Sequence, residues 1–193
     1  MKLKEKYPEL LARIDDLLEK KHTVIVAIDG NSGSGKSSLA KELESIYDSN
    51  VFHMDHFFLR PEQRTPERMK EVGGNVDYER FKEEVLDNIR KNIEFKYQIY
   101  DCKVGRLTDY IKVSPKKLNI IEGVYSMHPS LRGEYDLKIF MSIDAELQKQ
   151  RILQRSGEYM LKRFLQEWIP LENLYFSEMR IAEICDIVLK CPL

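Results

Sequence analysis

With 31 lysines and arginines against 32 aspartates and glutamates in 193 residues, the chain is nearly neutral at -1. No global basic field therefore marks it as a binder of nucleic acid or of an anionic membrane, and the length suits one domain with a real core. Three cysteines, Cys102, Cys185 and Cys191, are odd in number and lack metal-ligand spacing, which argues against a disulfide frame and for a reduced, cytoplasmic setting.

No apolar run approaches membrane-spanning length, and the first residues, with Glu5, Pro8, Asp15 and Asp16, lack the apolar core of a signal peptide. From Pro8 to about Lys21, the residues Leu10, Leu11, Ile14, Leu17 and Leu18 fall on one stripe at helical spacing. This amphipathic helix packs on the domain before the first strand, and its stripe leaves open a homo-oligomer. Val24 to Ile28 is a short β-branched apolar run and reads as a buried parallel strand. Gly30-Asn31-Ser32-Gly33-Ser34-Gly35-Lys36-Ser37 follows, then a helix from Ser38 to Tyr47.

Val51 to Asp55 reads as a second strand, and a Pro-punctuated polar stretch runs from Arg60 to Val72. Asp77 is placed to cap a helix from about Tyr78 to Lys91, buried through Phe81, Val85, Leu86 and Ile89. Residues 96–102 and 106–113 suggest a small hairpin. Leu118 to Gly123 and Leu137 to Ile143 read as further strands, the second leading into Asp144 and a long helix carrying Gln148, Arg151 and Arg155. Gly157 interrupts that helix, a further helix runs to about Trp168, and more helix follows Pro170. The Glu172–Ser177 run lies inside that helical pattern and reads as part of the folded chain, and Trp168 reads as core. Cys185 to Leu189 closes the pattern as a last strand. Strands alternating with helices imply an α/β fold, a doubly wound parallel sheet of about five strands flanked by helices.

The strand, Gly-rich loop and helix form a P-loop, G-x-x-x-x-G-K-[ST], in its required context. Residues Gly30 to Ser38 would cradle the phosphates of ATP or GTP with backbone N–H groups and the helix N-terminus. Lys36 would reach the β- and γ-phosphates, and the Ser37 hydroxyl would sit on Mg²⁺. Ligands of an open parallel sheet collect at the carboxyl ends of its strands. Asp55, Glu122 and Asp144 are therefore candidates by position, Asp144 being more simply a helix cap. Two acids converging on Mg·ATP divide into a metal partner and a partner for the attacking hydroxyl. His53 and His56 are spaced like metal ligands but have no accompanying cluster, so they read as polar fittings beside the active strand.

The P-loop, Met54-Asp55-His56-Phe57-Phe58, Asn75-Val76-Asp77, Tyr100-Asp101 and Ile120-Ile121-Glu122-Gly123 occur in the order seen in uridine kinases. The chain thus resembles the uridine kinase, phosphoribulokinase and nicotinamide riboside kinase group from Thr23 onward, including the closing Ala182 to Leu189. The resemblance implies a single P-loop kinase domain over residues 1–193, with a helical lid near residues 144–168. It also implies transfer of a γ-phosphate to a primary hydroxyl, foremost the 5′-hydroxyl of a nucleoside. In that reading Asp55 accepts the hydroxyl proton, Glu122 holds Mg²⁺ with Ser37, and Asp77 holds the ribose diol. Tyr100 and Asp101 touch the nucleoside, and Arg151 and Arg155 are lid arginines acting with Lys36 on the phosphates. The family carries an aromatic residue and a His for the base where this chain has Cys102 and Gly105. That departure opens two alternatives: another acceptor, such as nicotinamide riboside or pantothenate, and a nucleotide-binding regulatory protein without phosphotransfer.

Overall fold

The computed structural model describes residues 3–191. Five strands form one parallel sheet: β1 (Val24–Gly30), β2 (Ser49–His53), β5 (Leu118–Glu122), β6 (Leu137–Ser142) and β7 (Ile187–Lys190), in the order β2-β5-β1-β6-β7. The intervening β3 (Phe95–Asp101) and β4 (Arg106–Val113) pair antiparallel as the separate hairpin that the sequence suggested.

Every residue of the central β1 is buried, because both faces of a parallel sheet are covered by helices. Alternation assigns its side chains to two cores. Val24, Val26 and Ile28 meet Leu10, Leu11 and Ile14 of the helix Pro8–Lys20, and Leu39 and Leu43 of the helix Lys36–Glu44. The N-terminal stripe thus packs on its own sheet. Ile25 and Ala27 face the other way, toward Phe52, Phe57, Phe81, Val85 and Tyr175. Each fully buried aliphatic or aromatic side chain contributes roughly 1.5–3 kcal/mol.

The helix begun by Asp77 runs through Tyr78–Phe81, a π-turn at Lys82–Leu86 and Asp87–Lys91, matching the expected span. The long helix Ala145–Arg163 breaks at Gly157 (φ 78°) as the sequence indicated, and Asp144 caps it by accepting from the N–H groups of Glu146 and Leu147. Two readings differ from the structure. β2 stops at His53, so Asp55 lies in the following 3₁₀ turn, Met54–Phe57, and not in the strand. Trp168 belongs to neither core: half-buried, it meets Phe164 edge-on (4.5 Å between centroids) beneath the Arg163 guanidinium.

Gly30 ends β1 at φ +137°, and a Cβ there would lie 2.0 Å from the Met141 carbonyl oxygen on β6. Neither the conformation nor the space admits a side chain. Gly30→Ala should therefore cost on the order of 3 kcal/mol in denaturant unfolding. A stability unchanged within about 0.5 kcal/mol would contradict this packing.

Candidate active site

The loop after β1 is held open by its own backbone and by Lys36. The Ser34 N–H donates to the Asn31 carbonyl (3.1 Å), and the Asn31 N–H donates to Met141 O (3.2 Å). Lys36 is buried, and its ammonium donates to the carbonyls of Gly30 (2.7 Å) and Asn31 (3.0 Å). An ammonium has three N–H donors, so one remains for a ligand. The helix Lys36–Glu44 starts at Gly35 in the left-handed region with no side chain capping it. Its first N–H groups, which lack partners within the helix, face the same concavity and suit an anion. The buried Ser34 hydroxyl has no protein partner among the described residues.

Glu122 joins this loop through sheet register. Parallel pairing sets Ile28 of β1 and His53 of β2 on either side of Glu122 of β5. The Ser37 hydroxyl donates to Glu122, at 3.1 Å from either carboxylate oxygen, and His53 Nδ1 lies 2.5 Å from Oε1. The hydrogen bond to Glu122 raises the His53 pKa against the effect of burial, favouring an imidazolium–carboxylate pair. His56 meets the edge of His53 at 5.2 Å and is pushed down to about 4 by burial and by the His53 charge, so it stays neutral. Among the described residues no three His, Cys, Asp or Glu side chains gather into a metal cage. Ser37 with Glu122 is instead a sparse oxygen set of the kind Mg²⁺ accepts, since that ion keeps waters and completes its shell with substrate phosphates.

Asp55 faces the same edge from the turn Met54–Phe57. Two anchors fix the turn: Arg80 Nη2 donates to His56 O (2.7 Å), and the Asp77 N–H donates to Phe57 O (2.6 Å). The Arg80 guanidinium also stacks 4.1 Å over the Phe57 ring. The Asp55 carboxyl is solvent-accessible, yet the surrounding protein strips much of its hydration and raises its pKa. The Glu122 charge adds to the rise, while Lys36, His53 and Arg155 oppose it.

The other expected site residues divide. Asp77 is a buried N-cap, accepting from the Arg80 N–H (3.1 Å) and from Gln63 Nε2 (2.8 Å). The Tyr100 hydroxyl accepts from Arg64 (3.3 Å), and Asp101 accepts from the Lys103 N–H (2.7 Å) in the hairpin turn. Burial raises the Cys102 thiol at the hairpin tip, and the Asp55 charge adds to the rise. Arg151 donates to Gly33 O (3.3 Å) and Cys191 Sγ (2.7 Å), pairing with neither Glu146 nor Glu158. The exposed Arg155 contributes charge toward Asp55. Ser38 joins Tyr7, Lys6, Arg151 and Cys191 around a cavity of about 290 Å³ beside the loop.

Three residues with no sequence-based role support this edge. Gln148 donates to Ser32 O (2.8 Å), and the buried Glu172 accepts from both the Ser32 N–H (3.0 Å) and its hydroxyl. Asp29, immediately before the loop, is fully buried and accepts from Gly30 N–H (2.7 Å), Met127 N–H (3.0 Å) and the Tyr175 hydroxyl (2.8 Å). An acid inside a buried strand, ahead of a Gly-rich loop, was the available signal for Asp29.

Residues 25–159 match the sequence pattern of the Phosphoribulokinase / Uridine kinase family. The chain belongs to that family. It is 32% identical over 146 residues to a uridine kinase of Clostridium botulinum, covering 70% of this chain and 68% of the relative. A uridine kinase of Clostridium perfringens is 24% identical over 191 residues, 88% of each chain. A solved structure described as a possible uridine kinase from Bacillus stearothermophilus superposes with a TM-score of 0.67 at 20% identity, over 94% of this chain and 99% of the other. As in that P-loop kinase fold, helices flank a parallel sheet. No helix among the described residues is long and apolar enough to cross a membrane.

Burial raises the Asp29 carboxyl from 3.8 to about 6, opposed by the Met127, Tyr175 and Gly30 donors. Because the folded value exceeds the unfolded one, its stabilising contribution is complete below about pH 4 and is lost as pH rises through about 6. Tyr175→Phe deletes a donor to the ionised form. The substitution should cost roughly 1.5–3 kcal/mol more at about pH 8 than at about pH 4. Equal costs in denaturant titrations at the two pH values would contradict an ionised, hydrogen-bonded Asp29.

Proposed function

We propose that this protein is an ATP- or GTP-dependent kinase of small molecules, transferring the γ-phosphate to a primary hydroxyl, foremost the 5′-hydroxyl of a nucleoside such as uridine. The observation that carries the reading is the meeting, at one sheet edge, of a preformed phosphate loop, the Ser37–Glu122 pair and Asp55. The names of the clostridial relatives support the acceptor class.

In this reading the N–H groups of Gly33 and of Gly35 to Ser37, with the remaining Lys36 N–H, hold the donor phosphates. The nucleoside part of the donor enters the cavity beside Ser38 and Tyr7. Ser37 and Glu122 would hold Mg²⁺, which when bound offsets negative charge on the phosphates. Asp55 orients the attacking hydroxyl and takes its proton, and its raised pKa brings it closer to the range useful for a base. The transition state is loose, so positioning and charge carry most of the acceleration. Arg151 steadies the loop, and Arg155, just before the break at Gly157, brings positive charge in as part of the lid. Free cysteines suit the cytoplasm as the working compartment.

A second acceptor class is favoured by one observation. Tyr100 and Asp101 are engaged by Arg64 and Lys103, and both oxygens of Asp77 are taken by Arg80 and Gln63. With Cys102 and Gly105 where the family places its contacts to the base, the site suits a different acceptor, such as nicotinamide riboside, pantothenate or another hydroxylated metabolite. A regulatory protein without phosphotransfer is less favoured, since a pure binder needs no acid in Asp55's position.

A coupled ADP-release assay with Mg·ATP over uridine, cytidine, nicotinamide riboside, pantothenate and a blank tests the reading. We expect turnover on uridine or cytidine, and Asp55→Asn should lower kcat by at least about 10²-fold while ATP affinity changes little. Turnover confined to another acceptor replaces the substrate, and a fully active Asp55→Asn overturns the base assignment. ATP binding with no turnover on any acceptor would favour the regulatory alternative.

A further inference from the structure

The helix Ile169–Glu178 buries an unexpected face. Leu171 and Leu174 are exposed at 43% and 45%, while Glu172 is 4% exposed and shares the inner face with Tyr175. A glutamate in such a place is costly unless its oxygens are engaged. Its partner is the Ser32 residue of the phosphate loop, which gives Glu172 both its N–H and its hydroxyl. Desolvation raises the Glu172 pKa, and the Ser32 bonds and the Lys36 charge counter it.

The same residue is held from its other end. Gln148, 5% exposed, donates to Ser32 O, and Arg151 donates to Gly33 O. The peptide groups on either side of Ser32 are therefore fixed by side chains from two helices of the C-terminal third, neither of which belongs to the loop motif. Since phosphate affinity depends on N–H groups already aimed at the ligand, a clamp that prevents these peptides from turning raises affinity without touching the phosphate.

We infer that Glu172, with Gln148 opposite it, is a positioning residue that clamps the phosphate loop at Ser32 and sets its affinity for the phosphate donor. This rests on the kinase reading and assigns to it residues outside the P-loop motif. Loss of the clamp acts on donor binding, leaving the acceptor side, around Asp55 and the hairpin, as it was.

The test measures Mg·ATP and Mg·ADP affinity by calorimetry, and KM for ATP and for the best acceptor, in wild type, Glu172→Ala, Glu172→Gln and Gln148→Ala. Glu172→Ala should weaken both nucleotides and raise KM for ATP by about tenfold, with the acceptor KM unchanged. Glu172→Gln keeps one accepting oxygen and should fall between wild type and Glu172→Ala. Gln148→Ala frees the opposite end of Ser32 and should shift the ATP KM in the same direction, and it decides the matter if Glu172→Ala fails to fold. Unchanged nucleotide affinity in Glu172→Ala, or in Gln148→Ala where that variant decides, overturns the inference alone. So does a parallel rise of both KM values. A wild-type protein that binds no nucleotide overturns the kinase reading itself, and this inference with it.

Discussion

The contact on which the site depends is the approach of Ser37 to Glu122, at 3.1 Å. Neither residue could find the other by local structure, since 85 positions separate them. The pairing of β1 with β5 brings them together: Ile28 lies opposite Glu122, and both strands reach the same edge of the sheet. A one-residue slip would turn Glu122 to the opposite face, because side chains alternate along a strand. The buried alternation of Val24, Val26 and Ile28 against Ile25 and Ala27 holds the register, so the hydrophobic cores and the polar edge are one constraint.

Around that contact the edge is an economy of charge. Asp29, Asp55, Glu122 and Glu172 are acids, and each is answered by an N–H, a hydroxyl or a cation. Asp29 has two N–H groups and a tyrosine, Glu122 has Ser37 and His53, and Glu172 has Ser32. Asp55 is the acid left open to solvent, with opposing charges from Lys36, His53 and Arg155 acting at a distance. Among the described residues Asp55 has no fixed donor, which leaves its carboxylate open to one from a ligand.

What could be read in the sequence was local. The β-branched run of β1, the glycine spacing of the loop, the Asp77 cap and the break at Gly157 are short-range signals, and each is found in the structure. Asp77 illustrates the limit: a good cap and a family motif residue occupy one position, and local pattern cannot separate the roles. Glu172, Gln148 and Arg80 carry no local signal, because their partners lie 140, 116 and 24 residues away. Hydrophobic pattern even misdirects in the helix Ile169–Glu178, where the leucines face solvent and the glutamate faces inward. Trp168 departs from the pattern in the same way, since an aromatic ring beside a guanidinium can rest half-buried on a neighbouring ring.

In the proposed reading, Ser37 and Glu122 form, with the loop, one site for a metal-bound triphosphate. A crystal structure with Mn²⁺ and a non-hydrolysable ATP analogue, read by the anomalous signal of the metal, tests this most directly. The expected result is a metal peak beside Ser37 and Glu122, with the triphosphate lying along Gly33 to Ser37. A peak away from both residues, or a triphosphate bound outside the loop, would contradict it.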